Sequence, residues 1–153
     1  MRKIVILTMI MLCFVITQKV YSQQGYKAIY AVGGLTYEHG GNIIVGLDFP
    51  NSFYTSMEIY GQYYKYKDET NIYAGLSYKP CLYKGINSMF RGKLSGAVGT
   101  TTHKFTFAPI IGFEWVYSVS PTVDFMWLND GGYYHDTSER WRVNTYIGLR
   151  LNF

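Results

Sequence analysis

The sequence predicts an all-β chain: a closed, antiparallel, up-and-down barrel of eight strands that spans a membrane, behind a cleaved signal peptide. Three observations carry that expectation. Residues 142–153 alternate between apolar and polar almost without a break. Seven further β-rich runs precede them, separated by turn-forming residues. An apolar stretch behind two basic residues opens the chain.

The alternation at the C-terminus has a simple geometric meaning, because successive side chains of a strand point to opposite faces. Val143, Thr145, Ile147, Leu149, Leu151 and Phe153 fall on one face. Arg142, Asn144, Tyr146, Gly148, Arg150 and Asn152 fall on the other. A transmembrane barrel strand turns its apolar face to lipid and its polar face to the lumen. The terminal Phe153 resembles the signal by which the barrel-assembly machinery recognises its clients, with Tyr146, Leu149, Leu151 and Phe153 as its candidate residues.

At the other end, Arg2 and Lys3 precede an apolar run from Ile4 to Ile16, the pattern of a secretory signal. That run is about 13 residues, short of the roughly 20 that a spanning helix needs. Val20 and Ser22 are small enough for the −3 and −1 positions, which puts cleavage before Gln23 and leaves one domain over 23–153. Cys13 lacks the small residues that precede a lipidated cysteine, so no lipid anchor is expected. The formal charge is +4, and losing Arg2, Lys3 and Lys19 with the signal lowers it to +1 (4 − 3). A mature chain of that charge is not built to hold a nucleic-acid backbone. It keeps a single cysteine, Cys81, read as a small packing residue. The 18% aromatic content, with sixteen glycines and only four prolines, suits strands, tight turns and interfacial belts.

Eight strands are expected over residues 26–38, 42–49, 53–66, 70–83, 89–100, 105–118, 122–129 and 140–153. One alternate set of connections, at 39–41, 67–69, 101–104 and the long 130–139, is expected outside the cell. The other, at 50–52, 84–88 and 119–121, is expected on the periplasmic side with both termini. Pro80 and Pro109 interrupt strands, so a bulge or an early strand end is expected at each. The Gly33-Gly34, Gly40-Gly41 and Gly131-Gly132 pairs are read as turn or bend glycines.

Alternation then assigns faces. Tyr54, Ser56, Glu58, Tyr60, Gln62 and Tyr64 point inward on the third strand, and Arg91 and Lys93 on the fifth. Glu114 points inward on the sixth, and Asp124, Met126 and Leu128 on the seventh. Glu58, Arg91, Lys93, Glu114 and Asp124 all avoid the lipid face, where a basic residue at mid-bilayer costs about 2–4 kcal/mol. Two aromatic girdles are expected. Trp115, Tyr117, Phe49 and Phe53 form the periplasmic one; Phe105, Phe107, Tyr63, Tyr66, Trp127 and Trp141 form the outer one.

The candidate functional constellation is therefore electrostatic: Asp48, Glu58, Lys79, Arg91, Lys93, Glu114, Asp124, Arg142 and Arg150, with Lys27, all inward. Threading the hairpins places Arg91 by Glu114 and Asp124 by Arg150, near the periplasmic end. An eight-stranded barrel has room for side chains but no open channel, so these charges are expected to pair as a plug. No enzyme site is legible: His39, His103 and His135 lie in three different loops. No nucleophile elbow and no metal-ligand spacing appears, and no cofactor or small-molecule substrate is expected.

With the strands laid out, several segments resemble the conjugal transfer protein TraO family. They are the 60–70 stretch with Tyr-Tyr-Lys-Tyr-Lys-Asp-Glu-Thr, and Leu94-Ser-Gly-Ala-Val-Gly99. The others are Ile110-Ile-Gly-Phe-Glu-Trp115, the turn at 118–122 and the ending Tyr146-Ile-Gly-Leu-Arg-Leu-Asn-Phe153. The resemblance covers the C-terminal two thirds; the chain is shorter than the family pattern and has a minimal loop after its fifth strand. It implies an outer-membrane component of a conjugative DNA-transfer apparatus, with a structural or docking role and other transfer proteins as partners. A general small outer-membrane barrel, adhesive or structural, is the alternative. A soluble periplasmic barrel with its apolar faces inward is a third.

Overall fold

The computed structural model describes residues 27–37, 40–52, 54–101 and 104–153. The signal peptide at 1–22 with Cys13, and also Phe53, His39 and His103, lie outside the described residues. Eight strands follow in chain order: β1 (Ala28–Thr36), β2 (Gly41–Ser52), β3 (Thr55–Tyr66), β4 (Glu69–Lys84), β5 (Ser88–Thr100), β6 (Phe105–Ser118), β7 (Val123–Tyr133) and β8 (Trp141–Asn152). Each pairs antiparallel with the next, and β8 pairs back onto β1 from Ala28↔Asn152 to Thr36↔Asn144, which closes the barrel. Closure leaves no unpaired edge, the condition for placing a sheet in lipid. The shortest strand has 9 residues, enough to cross when tilted.

The two ends of the barrel differ. The lower end carries the start of β1, the end of β8 and the β2–β3, β4–β5 and β6–β7 turns. The upper end carries the other four connections, of which residues 134–140 form the longest. At the β3–β4 hairpin only Lys67 and Asp68 connect the strands, and Lys67 takes a left-handed φ of 50°. Glu69, expected in that turn, already belongs to β4.

Burial follows strict alternation, with polarity reversed relative to a soluble protein. Ile43, Val45, Ile59, Ile72, Leu94, Val98, Ile111, Val143, Ile147 and Leu149 are exposed on the outer wall. Glu58, Lys79, Glu114 and Asp124 are 0% exposed inside. This overturns the soluble-barrel alternative, which needs the opposite faces, and it makes the outer surface fit hydrocarbon.

Inward glycines make room for inward tyrosines. Gly46 lies opposite Tyr30, and Gly75 opposite Tyr60. A Cβ on either glycine would come within 2.5 Å of the facing ring at Gly46 and 2.4 Å at Gly75. A side chain there would have to displace the ring, so the glycines are packing partners. Gly33 and Gly34 likewise stay in register with Ile43 and Asn42 inside β1. The expected glycine bend is absent because both residues are paired on both sides.

The proline expectations divide. A register shift falls between Cys81 and Tyr83, just past Pro80, while β4 itself runs on to Lys84. Partly exposed Cys81 sits in this bulge and is not a core residue. Pro109 causes no shift; the β6–β7 ladder stops beside it at Ile110↔Gly132, where the missing N–H costs nothing. Another irregularity lies between Pro50 and Ser52, so the expected 50–52 turn is the bulged end of β2.

Three further expectations are corrected. Lys27 precedes β1 and is exposed, so it is not a lumen charge. Tyr54 is 63% exposed because it belongs to the turn before β3. The strand expected to end at Asn129 runs to Tyr133, because Gly131 and Gly132 pair with both β6 and β8 and do not turn. Trp127 is then the direct neighbour of Trp115 across the ladder, in the lower aromatic band and not the upper one.

Candidate functional site: a charge-filled lumen

The inward positions of the lower half bring eight charges together. Lys93 Nζ lies 3.2 Å from Glu58, and Glu58 also pairs with Lys79. Lys79 reaches Glu114 at 2.8 Å, and Glu114 pairs with Arg91. Arg91 meets Asp48 at 2.7 Å, Asp48 meets Arg150 at 3.3 Å, and Arg150 meets Asp124 at 2.9 Å. The result is an unbranched sequence of alternating sign, Lys93–Glu58–Lys79–Glu114–Arg91–Asp48–Arg150–Asp124, with four cations and four anions. Its formal charge is zero.

Seven strands contribute to this chain, and β1 adds the Tyr30 ring, 5.0 Å beneath the Lys79 ammonium. Four links, Lys93–Glu58, Lys79–Glu114, Arg91–Asp48 and Asp48–Arg150, join strands that are not neighbours in the sheet. Those links cross the lumen. Hydroxyls add to the shell: Ser56 accepts from Arg91 at 2.8 Å, while Ser77 and Ser118 donate to Glu58 and Asp124 at 2.8 and 2.7 Å. Asn152 donates to Asp124 at 2.9 Å. Buried charges persist only when paired and hydrogen-bonded in this way.

The upper half is different. Arg142, expected among the same charges, is inward but separate, with its guanidinium 3.9 Å from the Tyr64 ring and 4.5 Å from the Tyr134 ring. Its carboxylate partner is Glu69, at 3.6 Å. Beneath it runs an amide and hydroxyl network. Asn42 donates to Thr36 at 2.6 Å and to Asn144 at 3.0 Å, and Thr36 donates to Asn144 at 2.8 Å. Gln62 donates to Asn42 at 3.3 Å and to the Tyr146 hydroxyl at 3.1 Å. Asn144 donates to Asp130 at 2.8 Å.

Asp130 was assigned to a loop by the sequence, and Asn42, Gln62 and Asn144 were not singled out. Their inward parity was already visible, since Asp130 continues the series Asp124, Met126, Leu128.

The upper mouth is covered by residues 134–140. Glu69 accepts from the Ser138 backbone N–H at 3.2 Å and from its hydroxyl. Tyr64 donates to Glu139 at 3.0 Å, and Thr137, 8% exposed, donates to the Glu139 and Tyr134 carbonyls. Outside the strands, the hydrogen bond that exposed Lys67 donates to the Tyr66 hydroxyl raises its ammonium above the ordinary lysine value.

His135 stacks on Phe107 with centroids 4.9 Å apart and lies 3.5 Å from Asp136. The nearby hydroxyls of Thr106 and Ser138 donate to the His135 carbonyl and to Glu69, not to the imidazole. Among the described residues, no group of three His, Cys, Asp or Glu could hold a metal ion.

Of the four residues expected to form a C-terminal assembly signal, Leu149, Leu151 and Phe153 share the outer face at 54%, 49% and 67% exposure. Tyr146 does not: it is 0% exposed in the lumen.

No protein-family profile and no curated protein matches the chain. Solved structures do. The N-terminal β-barrel domain of Pseudomonas aeruginosa OprF is 14% identical over 85% of this chain and 98% of that one, with a TM-score of 0.64. Neisserial surface protein A is 15% identical over 84% and 96%, with a TM-score of 0.60. The outer membrane enzyme PagL is 9% identical over 82% and 99%, with a TM-score of 0.55. The likeness is one of fold: this chain has the eight-stranded architecture of outer-membrane barrels, a scaffold that at least one enzyme also uses.

Proposed function

We propose that the protein is a non-enzymatic outer-membrane barrel with a structural role, held in lipid by its outer wall and closed to solutes by its own lumen charges. One observation carries the reading: the neutral eight-charge chain crosses the lumen between non-adjacent strands while the outer wall is apolar. Outer-membrane lipid is then its solvent, and the barrel-assembly machinery, meeting Leu149, Leu151 and Phe153, its insertion partner. The similarity in fold to OprF and Neisserial surface protein A supports the location. Liposome swelling tests the closure: vesicles carrying the protein should swell no faster in small sugars than empty ones, and rapid swelling would sink it. Heat-modifiable migration in the outer-membrane fraction tests the location.

A second reading, a docking component of a conjugative DNA-transfer apparatus, rests on the segments that resemble the TraO family, from the 60–70 stretch to Tyr146–Phe153. Its test is transfer frequency from a donor lacking the gene and one restored in trans. A large rescued drop supports it, and unchanged transfer leaves only the structural barrel.

A further inference from the structure

We propose that the β7–β8 face of the outer wall is a self-association site, where Asn129 hydrogen-bonds to Asn129 of a second copy of this chain within the membrane. This inference rests on the membrane-spanning reading above.

The site is a polar pair in an apolar wall. Away from the strand ends, the outward residues of the described strands are apolar, aromatic or glycine, with two exceptions. These are Asn129 of β7 and Thr145 of β8, which lie directly opposite each other in the ladder. Buried Leu128 and Asp130 on either side turn Asn129 outward. The Trp127 indole donates to the Thr145 hydroxyl at 3.2 Å on the exposed surface, which fixes Thr145 on the same wall. Trp127 and Tyr133 stand below and above Asn129 on its own strand, and Val143 and Ile147 flank Thr145. The pair therefore lies at hydrocarbon depth.

Thr145 has a partner in Trp127, but the amide nitrogen of half-buried Asn129 has none. Lipid tails offer neither donor nor acceptor, so only protein can meet that amide. The occupant is a second copy because an amide is donor and acceptor at once and so complements itself. A half-turn of the side-chain amide exchanges its nitrogen and oxygen, so either end can face the second copy. Two copies in one membrane are related by an axis along the membrane normal, which brings Asn129 to Asn129 at equal depth. Close approach is possible because Gly131, the next outward residue on β7, has no side chain. A recess of about 420 Å³ lies over it, between Ile111 and Val143.

The test is sedimentation equilibrium of the folded protein in density-matched zwitterionic micelles. The protein should show a reversible monomer–dimer equilibrium. Asn129→Leu, which keeps the volume and removes the amide, should weaken the dimer about tenfold, the scale of membrane hydrogen bonds. Thr145→Val should weaken it less. Ile59→Leu, on β3 at the opposite side of the barrel, should leave it unchanged.

A second measurement separates this role from a structural one. In dilute protein in lipid vesicles, Asn129→Leu should raise the urea midpoint, because the monomer no longer holds an unmet amide in hydrocarbon. Heat-modifiable migration verifies folding of each variant. A wild-type protein that stays monomeric at every micellar concentration, or a dimer that Asn129→Leu leaves intact, overturns the site. A lowered urea midpoint also overturns it, since the amide would then be met within its own barrel. Protein that stays folded and soluble without detergent overturns the membrane-spanning reading, and the site with it.

Discussion

At the lower end the lumen holds four cations and four anions in one alternating chain, while at the upper end a single arginine lies against two tyrosine rings above a network of amides. Both halves fill the same kind of space, an interior too narrow for a channel and lined by alternate residues of eight strands. The lower half fills it with charges whose desolvation is offset only by their partners, so each member depends on the others. The upper half fills it mainly with amides and hydroxyls around Arg142 and Asp130, so most losses there leave a donor or acceptor unmet and strand no chain of charges. The lower half is therefore the rigid, all-or-none part of the molecule, and the upper half the part that tolerates change.

The largest effect should come from Glu114→Gln, which keeps the volume but removes the anion shared by Lys79 and Arg91. Urea unfolding of the protein in lipid vesicles should show a loss of about 3–5 kcal/mol, the cost of stranding buried charge. A loss below 1 kcal/mol would mean that water reaches these groups. Asn144→Ala comes next, because it unmakes bonds to Thr36, Asn42 and Asp130. The same unfolding should register about 1–3 kcal/mol, the scale for buried polar groups left unmet. A cost equal to that of Glu114→Gln would erase the contrast between the halves. The smallest effect belongs to Ser138→Ala, which loosens the exposed latch from the upper loop to Glu69. It should stay within about 0.5 kcal/mol, the usual span for surface changes. Faster proteolysis of the 134–140 loop in that variant would show the latch at work.

Much of this architecture was legible in the chain, for a definite reason. Strand count, faces and neighbour pairs follow from period-two alternation and hairpin threading, so Arg91 beside Glu114 and Asp124 beside Arg150 are readable from residue order. The links between non-adjacent strands are not readable that way. Lys79 to Glu114 and Arg91 to Asp48 depend on barrel closure and on side-chain reach across the lumen. Glycine misled the reading at Gly131-Gly132, where a residue type common in turns pairs with both neighbouring strands. The same error hid Asp130 and misplaced Trp127. Arg142 was correctly turned inward, but alternation says nothing of height, and height separates it from the other charges.

The account stands or falls on whether the lower charges act as one unit. A double-mutant cycle on Lys79→Met and Glu114→Leu, read by urea unfolding in vesicles, measures this directly. The two buried groups pair with each other and each holds one further partner, Glu58 for Lys79 and Arg91 for Glu114, so the double variant should be less damaged than the sum of the singles, with a coupling of about 0.5–3 kcal/mol. Additivity to within about 0.5 kcal/mol would contradict the account and leave eight independent charges where one chain is claimed.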